Sequence, residues 1–547
     1  MASKKPGYDW RKLSETAPDR WLNSCLAIQP GDTAWRYSIF MAKSDRHFEI
    51  TELQDNLNRR SLQSGMVAMG AQPIKFVIGV GGTMVLARLL VPADYGLLAM
   101  AQPLLSIVDS LSNMGLETAT VQRQKFNPEQ ASAIFWLSLK INALVIGGMM
   151  LSAPLVARFY DRPELTSVLL CLAVGAASIC LSFQHLSLLK RQMQFELLTG
   201  VETATLVLST AVAIALAWLG FGYWSLILQL TVLQVSRSIA YWIFCDWRPH
   251  RIENTGRFTK DLRSTLSYGI HLTGFRCISR VGMKMDRVLL GYAGSASSLG
   301  LYSMAYQWAY FPFWQVYHPL FDVAISSLSR SLSNPARYRL YCQRGLLLIF
   351  AVCMPALAYL FVTAQDVILL LLGPQWSEIV PIFRALTVAV FVGMMYRVTK
   401  WIYVSAGETQ RQFRWSLIHT PVMIAAIAVG VRWGAYGVAV GYAVGMCLLS
   451  YPAVVYCVRQ SPITLGDFMG AVWRPAVASI SSAALLILSQ PVLPTFGFLV
   501  IRLFTEWLIY VGCYISIWLI LPGGYKQVKL FAVMLVNKLR SKLTGPR

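Results

Sequence analysis

Long apolar stretches separated by short polar connections run from residue 61 to residue 521. About 20 residues of helix cross a bilayer, and most of these stretches are at least that long. The pattern predicts an all-α polytopic membrane protein with about fourteen transmembrane helices. They are expected at residues 61–90, 94–121, 128–158, 165–187, 196–219, 222–245, 264–291, 297–329, 341–364, 378–405, 414–431, 436–458, 469–490 and 496–521.

The composition agrees with this pattern. Hydrophobic residues make up 56% of the 547 residues and charged residues 14%, against about 25% charged in an average soluble domain. A soluble core could not enclose that much apolar surface, so the bilayer must solvate most of it. The net charge of +22 would suggest nucleic-acid binding in a soluble protein, so the position of the cations matters.

The cations alternate from connection to connection. If the N-terminal tail is cytoplasmic, 32 of the 48 Lys and Arg residues lie in cytoplasmic connections, tails and helix ends. Only four lie on the opposite side: Arg88, Arg158, Arg162 and Arg432. Because Lys and Arg resist translocation, this bias predicts a bacterial inner-membrane protein with both termini cytoplasmic. It also explains the net charge without a nucleic-acid partner.

A weak internal repeat divides the chain. Gly96, Leu97, Met100 and Ala101 recur 204 residues later as Gly300, Leu301, Met304 and Ala305. The repeated unit is about six helices, and paired six-helix halves with a site between them are typical of transporters. We therefore expect two six-helix lobes in a pseudo-twofold arrangement, followed by two C-terminal helices.

The predicted organisation has six parts. They are a polar cytoplasmic tail at 1–60, an N-lobe at 61–246, a basic cytoplasmic linker at 247–263, a C-lobe at 264–458, helices 13 and 14 at 459–522, and a basic cytoplasmic tail at 523–547. We expect Met41 to be the true start, with residues 1–40 a gene-start artefact. No connection between helices can hold a soluble catalytic domain, so we expect no enzyme activity.

The predicted seventh helix carries the densest intramembrane charge. Arg276, Arg280 and Lys284 are spaced i, i+4, i+8 and share one helical face. Such a stripe is expected to face a cavity and to bind an anionic substrate such as a diphosphate, because the Arg fork donates to phosphate bidentately. Lys75 is a further candidate. The alternative is that these cations pair with Asp286 or with acidic groups on other helices.

Carboxylates inside the predicted helices are candidates for ion coupling or for pairing with those cations. They are Asp286, Asp109, Glu117, Glu202 and Asp322, and the coupling ion would be H⁺ or Na⁺. Arg397 and Lys400 lie near the predicted cytoplasmic end of their helix, where we expect their side chains to reach the membrane interface.

An aromatic stripe with four-residue spacing follows in the eighth helix: Tyr302, Tyr306, Tyr310 and Trp314. Such a stripe can stack on sugar rings, but it more often serves packing or an interface belt. No cofactor or metal site is expected, because the ten Cys residues are scattered singly and no His pair has ligand spacing.

Several blocks of the sequence resemble a known family. They are LARLLVPADYGLLAM with SNMGLETATVQRQ, then LLKRQMQFELLTGVETATLVLSTAVAIALAWLGFGYWSLI at 188–227, SRVGMKMDRVLLGYAGSASSLGLYSMAYQ at 279–307, and more weakly VSAGETQRQFRWSLI at 404–418. They resemble polysaccharide and lipopolysaccharide flippases of the Wzx or polysaccharide-transporter type, in the multidrug/oligosaccharidyl-lipid/polysaccharide (MOP) exporter superfamily.

This resemblance implies a central cavity between two lobes, alternating access and no covalent chemistry. It implies transfer of undecaprenyl-diphosphate-linked oligosaccharide repeat units across the inner membrane, driven by an ion gradient. The product would be an exopolysaccharide, capsule or O-antigen, made with a polysaccharide polymerase machinery. Arg280 and Asp286 match the family pattern best, whereas Arg276 and Lys284 are additions to it.

Three alternatives stay open. A multidrug or cation exporter of the same superfamily would favour an acidic cavity, whereas the seventh helix is basic. A membrane polysaccharide polymerase would be an enzyme and would need a large periplasmic loop. A peptidoglycan-precursor flippase also has about fourteen helices, but the quoted blocks fit it less well.

Overall fold

A computed structural model describes residues 57–112, 120, 127–250, 282, 284–491, 498–525 and 527, with side chains described from residue 70 onward except that of Asp322. These parts of the chain contain fifteen α-helices, numbered in chain order. They are α1 Leu57–Leu89, α2 Pro92–Ser112, α3 Pro128–Phe159, α4 Glu164–Arg191, α5 Phe195–Trp218, α6 Trp224–Phe244, α7 Met285–Ala293, α8 Ala296–Arg330, α9 Pro335–Val362, α10 Ala364–Leu371, α11 Ile379–Ala406, α12 Thr409–Gly430, α13 Gly434–Val458, α14 Leu465–Ser489 and α15 Leu499–Ile520.

The predicted helical fold is confirmed, with one short addition, α10. Within the described ranges, ten segments are long and apolar enough to cross a membrane, and one of them spans both α12 and α13. Helices α2 and α8 fall short of that apolarity. They pack against each other between the lobes, so much of their surface faces protein instead of lipid. The count of fourteen spans stays a prediction.

The two lobes repeat the same helix pairings. In the N-lobe, α2 packs on α3, α3 on α4, α4 on α6, α6 on α5 and α5 on α1. In the C-lobe the equivalent pairs are α8 with α9, α9 with α11, α11 with α13, α13 with α12 and α12 with α7. Helices α14 and α15 follow, with α14 packed on α9. Equivalent helices therefore contact each other in both lobes, as the predicted two-lobe fold requires.

The repeated glycines lie at the contact between the lobes. A Cβ on Gly96 would lie 1.8 Å from the carbonyl oxygen of Ala296, and a Cβ on Gly300 would lie 1.8 Å from that of Pro92. Ala296 and Pro92 are themselves 204 residues apart, so the two contacts are related by the same repeat. Only glycine permits this approach of two backbones, which gives the sequence repeat a physical cause.

The end of α1 is also tied to the C-lobe. Trp376 Nε1 donates to the carbonyl oxygen of Ala87 at 2.7 Å, and Gln375 Nε2 donates to that of Leu90 at 3.1 Å. Arg88 Nη2 donates to the carbonyl oxygen of Leu370 at 2.8 Å. These bonds satisfy carbonyls at a helix C-terminus that have no partner within the helix. They join the lobes on the side away from the N-terminal tail.

The interiors of the two lobes differ. Buried apolar residues of α8, α9, α11 and α13 form one continuous cluster that reaches into α14. A few N-lobe residues, among them Ala99, Met100 and Tyr160, join that cluster, and other buried apolar residues of the N-lobe divide into three smaller clusters. The C-lobe therefore has the larger single core among the residues described.

Candidate functional site

A cavity of about 760 Å³ lies between the lobes, with walls from α1 and α8. The α1 wall includes Gln72, Lys75, Phe76, Val80 and Thr83, and the α8 wall includes Gln307, Trp308, Phe311 and Gln315. The rise of 1.5 Å per residue places Lys75 about 20 Å along α1 from its C-terminal end. The cavity therefore lies alongside the apolar span Gly70–Leu89, and its described lining combines amide groups, aromatic rings and one cation.

Lys75 does not enter this cavity as an isolated charge. Its Nζ lies 2.6 Å from Oε2 of Glu202 on α5, and their side chains are 18% and 42% exposed. The sequence predicts Lys75 as a substrate-binding residue and Glu202 as a residue for ion coupling or for pairing with a cation. The structure brings the two together in one ion pair at the cavity edge. Neutralising either side chain would therefore leave the other without its counter-charge.

The adjacent face of α8 carries the aromatic stripe, whose tyrosines contact α7 and α13 of the C-lobe. Tyr302 and Tyr310 are buried, whereas Tyr306 and Trp314 are partly exposed. The Tyr302 hydroxyl donates to Asp286 Oδ2 at 2.8 Å, and Asp286 is 3% exposed. This contact joins the stripe to a coupling candidate on α7. Sugar stacking by these rings stays a prediction.

Arg397 lies at the other end of the stripe. Its Nη2 donates to the hydroxyls of Tyr310 at 2.9 Å and Tyr442 at 3.2 Å. Its guanidinium also lies over the rings of Tyr310 and Trp314, at 4.5 and 5.1 Å from their centroids. The expectation that Arg397 reaches the membrane interface is therefore wrong, because phenol oxygens and ring faces inside the C-lobe hold the cation.

The other predicted residues are distributed as follows. Lys284 immediately precedes α7, and its carbonyl oxygen accepts the backbone N–H groups of Arg287 and Val288. Asp109 is an exposed residue of α2. Arg276, Arg280, Glu117 and the side chain of Asp322 lie outside the described residues, so the cationic stripe of the seventh helix stays a prediction.

The uncharged polar residues of the cavity were not predicted from the sequence. Gln307, Phe311 and Gln315 are spaced i, i+4, i+8 and form one face of α8. That spacing is visible in the sequence, but the neighbouring tyrosine stripe is a stronger signal. No spacing in the sequence marks Gln72 and Thr83 as cavity residues. They line the cavity only because α8 lies opposite their face of α1.

The comparisons with known proteins agree with this architecture. A family model described as "Polysaccharide biosynthesis protein" matches residues 85–381, which is more than half of the chain. The teichuronic acid biosynthesis protein TuaB of Bacillus subtilis (strain 168) is 24% identical over 354 residues, covering 62% of this chain and 72% of that protein.

Two further relatives cover more of the chain. The lipopolysaccharide biosynthesis protein WzxC of Escherichia coli (strain K12) is 21% identical over 412 residues, or 74% of this chain and 82% of WzxC. The succinoglycan biosynthesis transport protein ExoT of Rhizobium meliloti (strain 1021) is 24% identical over 416 residues, or 73% of this chain and 80% of ExoT.

Two solved structures share the fold. The lipid II flippase MurJ in its inward closed conformation matches with a TM-score of 0.66 at 14% identity, covering 83% of this chain and 98% of MurJ. An inward-facing multidrug resistance MATE transporter of the MOP superfamily matches with a TM-score of 0.54 at 15% identity, covering 72% of this chain and 97% of that one. The two-lobe architecture described above is therefore that of known membrane transporters.

Proposed function

Because the chain belongs to the polysaccharide biosynthesis protein family, we propose that it is a flippase for undecaprenyl-diphosphate-linked oligosaccharide repeat units. It would move them across the bacterial inner membrane for exopolysaccharide, capsule or O-antigen assembly. The observation that carries this proposal is the cavity between the lobes, which is lined by Lys75 and several amide groups and lies along a helix long and apolar enough to cross a membrane. An anionic, hydroxyl-rich head group needs such partners when it leaves water.

The lobes would carry the substrate by alternating access. The glycine contact between α2 and α8 is a close crossing about which two rigid lobes can rock. The bonds from Gln375 and Trp376 to the end of α1 join the lobes on the side that the charge bias assigns to the periplasm. These bonds would break when the cavity opens to that side.

The ion pair offers a way to couple transport to an ion gradient. A diphosphate that enters the cavity would compete with Glu202 for Lys75, because phosphate oxygens are strong acceptors for cationic donors. Glu202 would then lose its counter-charge and favour binding of H⁺ or Na⁺. Release of the diphosphate on the far side would restore the Lys75–Glu202 pair and release the ion.

Deletion of the gene tests the function directly. We expect loss of one surface polysaccharide and accumulation of its lipid-linked repeat unit, with both effects reversed by the wild-type gene. Radiolabelled lipid extracts and polymer gels measure the two quantities. Unchanged polymer and no accumulated intermediate would refute the proposal. Unchanged polymer with new sensitivity to cationic drugs would support the exporter alternative.

The membrane sidedness and the partners follow from the same proposal. Both termini would be cytoplasmic, and a polymerase machinery would use the product on the periplasmic side. Reporter fusions at each terminus test the sidedness, because alkaline phosphatase is active only in the periplasm whereas green fluorescent protein folds in the cytoplasm. Phosphatase activity from either terminal fusion would contradict this orientation.

A further inference from the structure

A second polar cavity lies at one end of the C-lobe, away from the space between the lobes. It measures about 400 Å³ and lies between the C-terminal end of α8 and the N-terminal end of α9. Its lining residues are Ser326, Ser327, Arg330, Ser331, Arg337 and Tyr341. This is the membrane side on which the Lys- and Arg-rich connections are predicted, so the cavity faces the cytoplasm in that orientation.

The arginines around this cavity lack acidic partners. Within the described ranges, no carboxylate lies within 4.0 Å of Arg330, Arg337 or Arg344. Arg337 Nε donates to the Tyr341 hydroxyl at 3.1 Å, and its guanidinium lies 5.3 Å from the centre of that ring. The ring thus orients a cation that has no carboxylate partner among the described residues, which suits an anionic ligand.

An apolar slot of about 220 Å³ continues from this cavity toward the bilayer. The two spaces share Ser327 and Tyr341, and the slot also has walls from Leu320, Val323, Leu348 and Trp401. Val323 is 62% exposed, so the slot lies at the lipid-facing surface. A cationic, hydroxyl-lined head cavity that leads into an apolar slot fits an amphiphile with an anionic head and a hydrocarbon tail.

Arg344 lines the slot, one helical turn after Tyr341, which the slot shares with the cavity. It is seven residues after Arg337 on α9 and therefore shares its helical face. Its Nε is buried with no hydrogen-bond partner in the structure. A buried guanidinium N–H without an acceptor is unfavourable. An acceptor supplied by a bound ligand would satisfy it.

We propose that this groove, formed by Arg330, Arg337, Arg344 and the adjoining slot, receives the diphosphate and first prenyl units of the lipid-linked substrate before transport. The inference rests on the proposed function and adds a loading site outside the cavity between the lobes. Three arginines with serine hydroxyls suit a diphosphate, which offers more acceptor oxygens and charge than a single phosphodiester. Helix α8 lines both spaces, with about 18 Å of helix between Gln315 and Ser327, so it marks a route from one to the other.

Binding measurements on the purified full-length chain test this site. The protein is placed in phosphatidylcholine nanodiscs, and undecaprenyl diphosphate binding is measured by native mass spectrometry. We expect the double variant R330Q/R337Q to bind at least tenfold more weakly, because each arginine can donate charge-assisted hydrogen bonds to the diphosphate. The matched control is R339Q, since Arg339 lies on the same helix but faces Asp467 at 4.0 Å. It should bind within about twofold of wild type.

A phosphatidylglycerol titration distinguishes the two sources of lipid phosphate. Wild type should prefer undecaprenyl diphosphate by about tenfold or more. Equal affinity for phosphatidylglycerol would overturn the proposal in favour of a general phospholipid site. Equal loss in R339Q and R330Q/R337Q would overturn it as well, because the effect would then be one of overall charge. Thermal unfolding of each variant shows whether it has folded.

These experiments distinguish an error in the loading-site proposal from an error in the proposed flippase function. If R330Q/R337Q binds undecaprenyl diphosphate as wild type does, while gene deletion still blocks polymer export, the groove proposal is wrong and the flippase proposal stands. If wild type binds no undecaprenyl diphosphate and deletion leaves the polymer unchanged, both are wrong. The supporting result is weak binding by R330Q/R337Q together with reduced export and a stably folded protein.

Discussion

The two lobes share their helix pairings but hold intramembrane charge in different ways. In the N-lobe, Lys75 on α1 is neutralised by Glu202 on α5, at the edge of the cavity between the lobes. In the C-lobe, Arg397 has no carboxylate within 4.0 Å in the described part of the chain, and tyrosine hydroxyls and ring faces hold it instead. One lobe pairs opposite charges, whereas the other surrounds a cation with polarisable neutral groups.

This difference indicates different roles for the lobes. An ion pair at a cavity edge can exchange partners with a charged substrate, because its charges are partly exposed. The Arg397 cluster is set among α8, α11 and α13, which contribute to the continuous core of the C-lobe. Moving it would disturb packing that involves many side chains. We therefore expect the N-lobe pair to respond to the substrate and the C-lobe cluster to serve as a rigid frame.

The largest expected effect concerns the close glycine contact between α2 and α8, to which each lobe contributes one repeated glycine. Gly300→Leu would place side-chain atoms where the carbonyl oxygen of Pro92 lies, so α2 and α8 could not pack as they do. We expect complete loss of polymer export, with lipid-linked intermediates accumulating. Gly148→Leu is the matched control, because a Cβ there meets nothing within 4 Å. Normal export by the Gly300 variant would show that the lobes do not need this close crossing.

The ion pair distinguishes a substrate role from a structural one. Lys75→Glu would bring two carboxylates together, so we expect export to fall more than tenfold, as repulsion between close like charges costs more than about 1.4 kcal/mol. The charge swap K75E/E202K restores the pair and should restore protein level in the membrane. If Lys75 also binds the diphosphate, export should stay low in the swap. Full export by the swap would reduce the pair to a structural role.

The smallest expected effect concerns the buried hydrogen bond between α8 and α7 in the C-lobe. Tyr302→Phe removes the hydroxyl that donates to buried Asp286, and should lower the free energy of unfolding by about 1.5–3 kcal/mol. Tyr306→Phe is the matched control, because its hydroxyl is 3.5 Å from Arg397 Nη2 and should matter by about 0.5 kcal/mol or less. Thermal unfolding in detergent measures both. Equal stability of the two variants would show that the hydrogen bond from Tyr302 to Asp286 does not stabilise the C-lobe.

Much of the architecture could be predicted from local patterns. Apolar stretches predicted the helices because the bilayer imposes their length and composition. The recurrence of Gly96 as Gly300 predicted two related halves, and the structure shows the close crossing that requires both glycines. Helices α2 and α8 lack a stretch apolar enough to be recognised as a span by hydropathy alone, since protein instead of lipid covers much of their surface.

The site depended on contacts between distant parts of the chain. Lys75 and Glu202 are 127 residues apart, so their charges were visible in the sequence but their pairing was not. Likewise, position along the helix predicted an interfacial Arg397, whereas Tyr310 and Tyr442 enclose it.

The sequence by itself therefore determined that this is a helical membrane protein of two related halves, because hydropathy and a fixed repeat are properties of the chain alone. Only the tertiary structure decided which charges are paired, which polar faces form a cavity and where cations are left without counter-charges. Those properties depend on the distances between helices that are far apart in sequence. The electrostatic energy of a charge in the membrane depends on those distances.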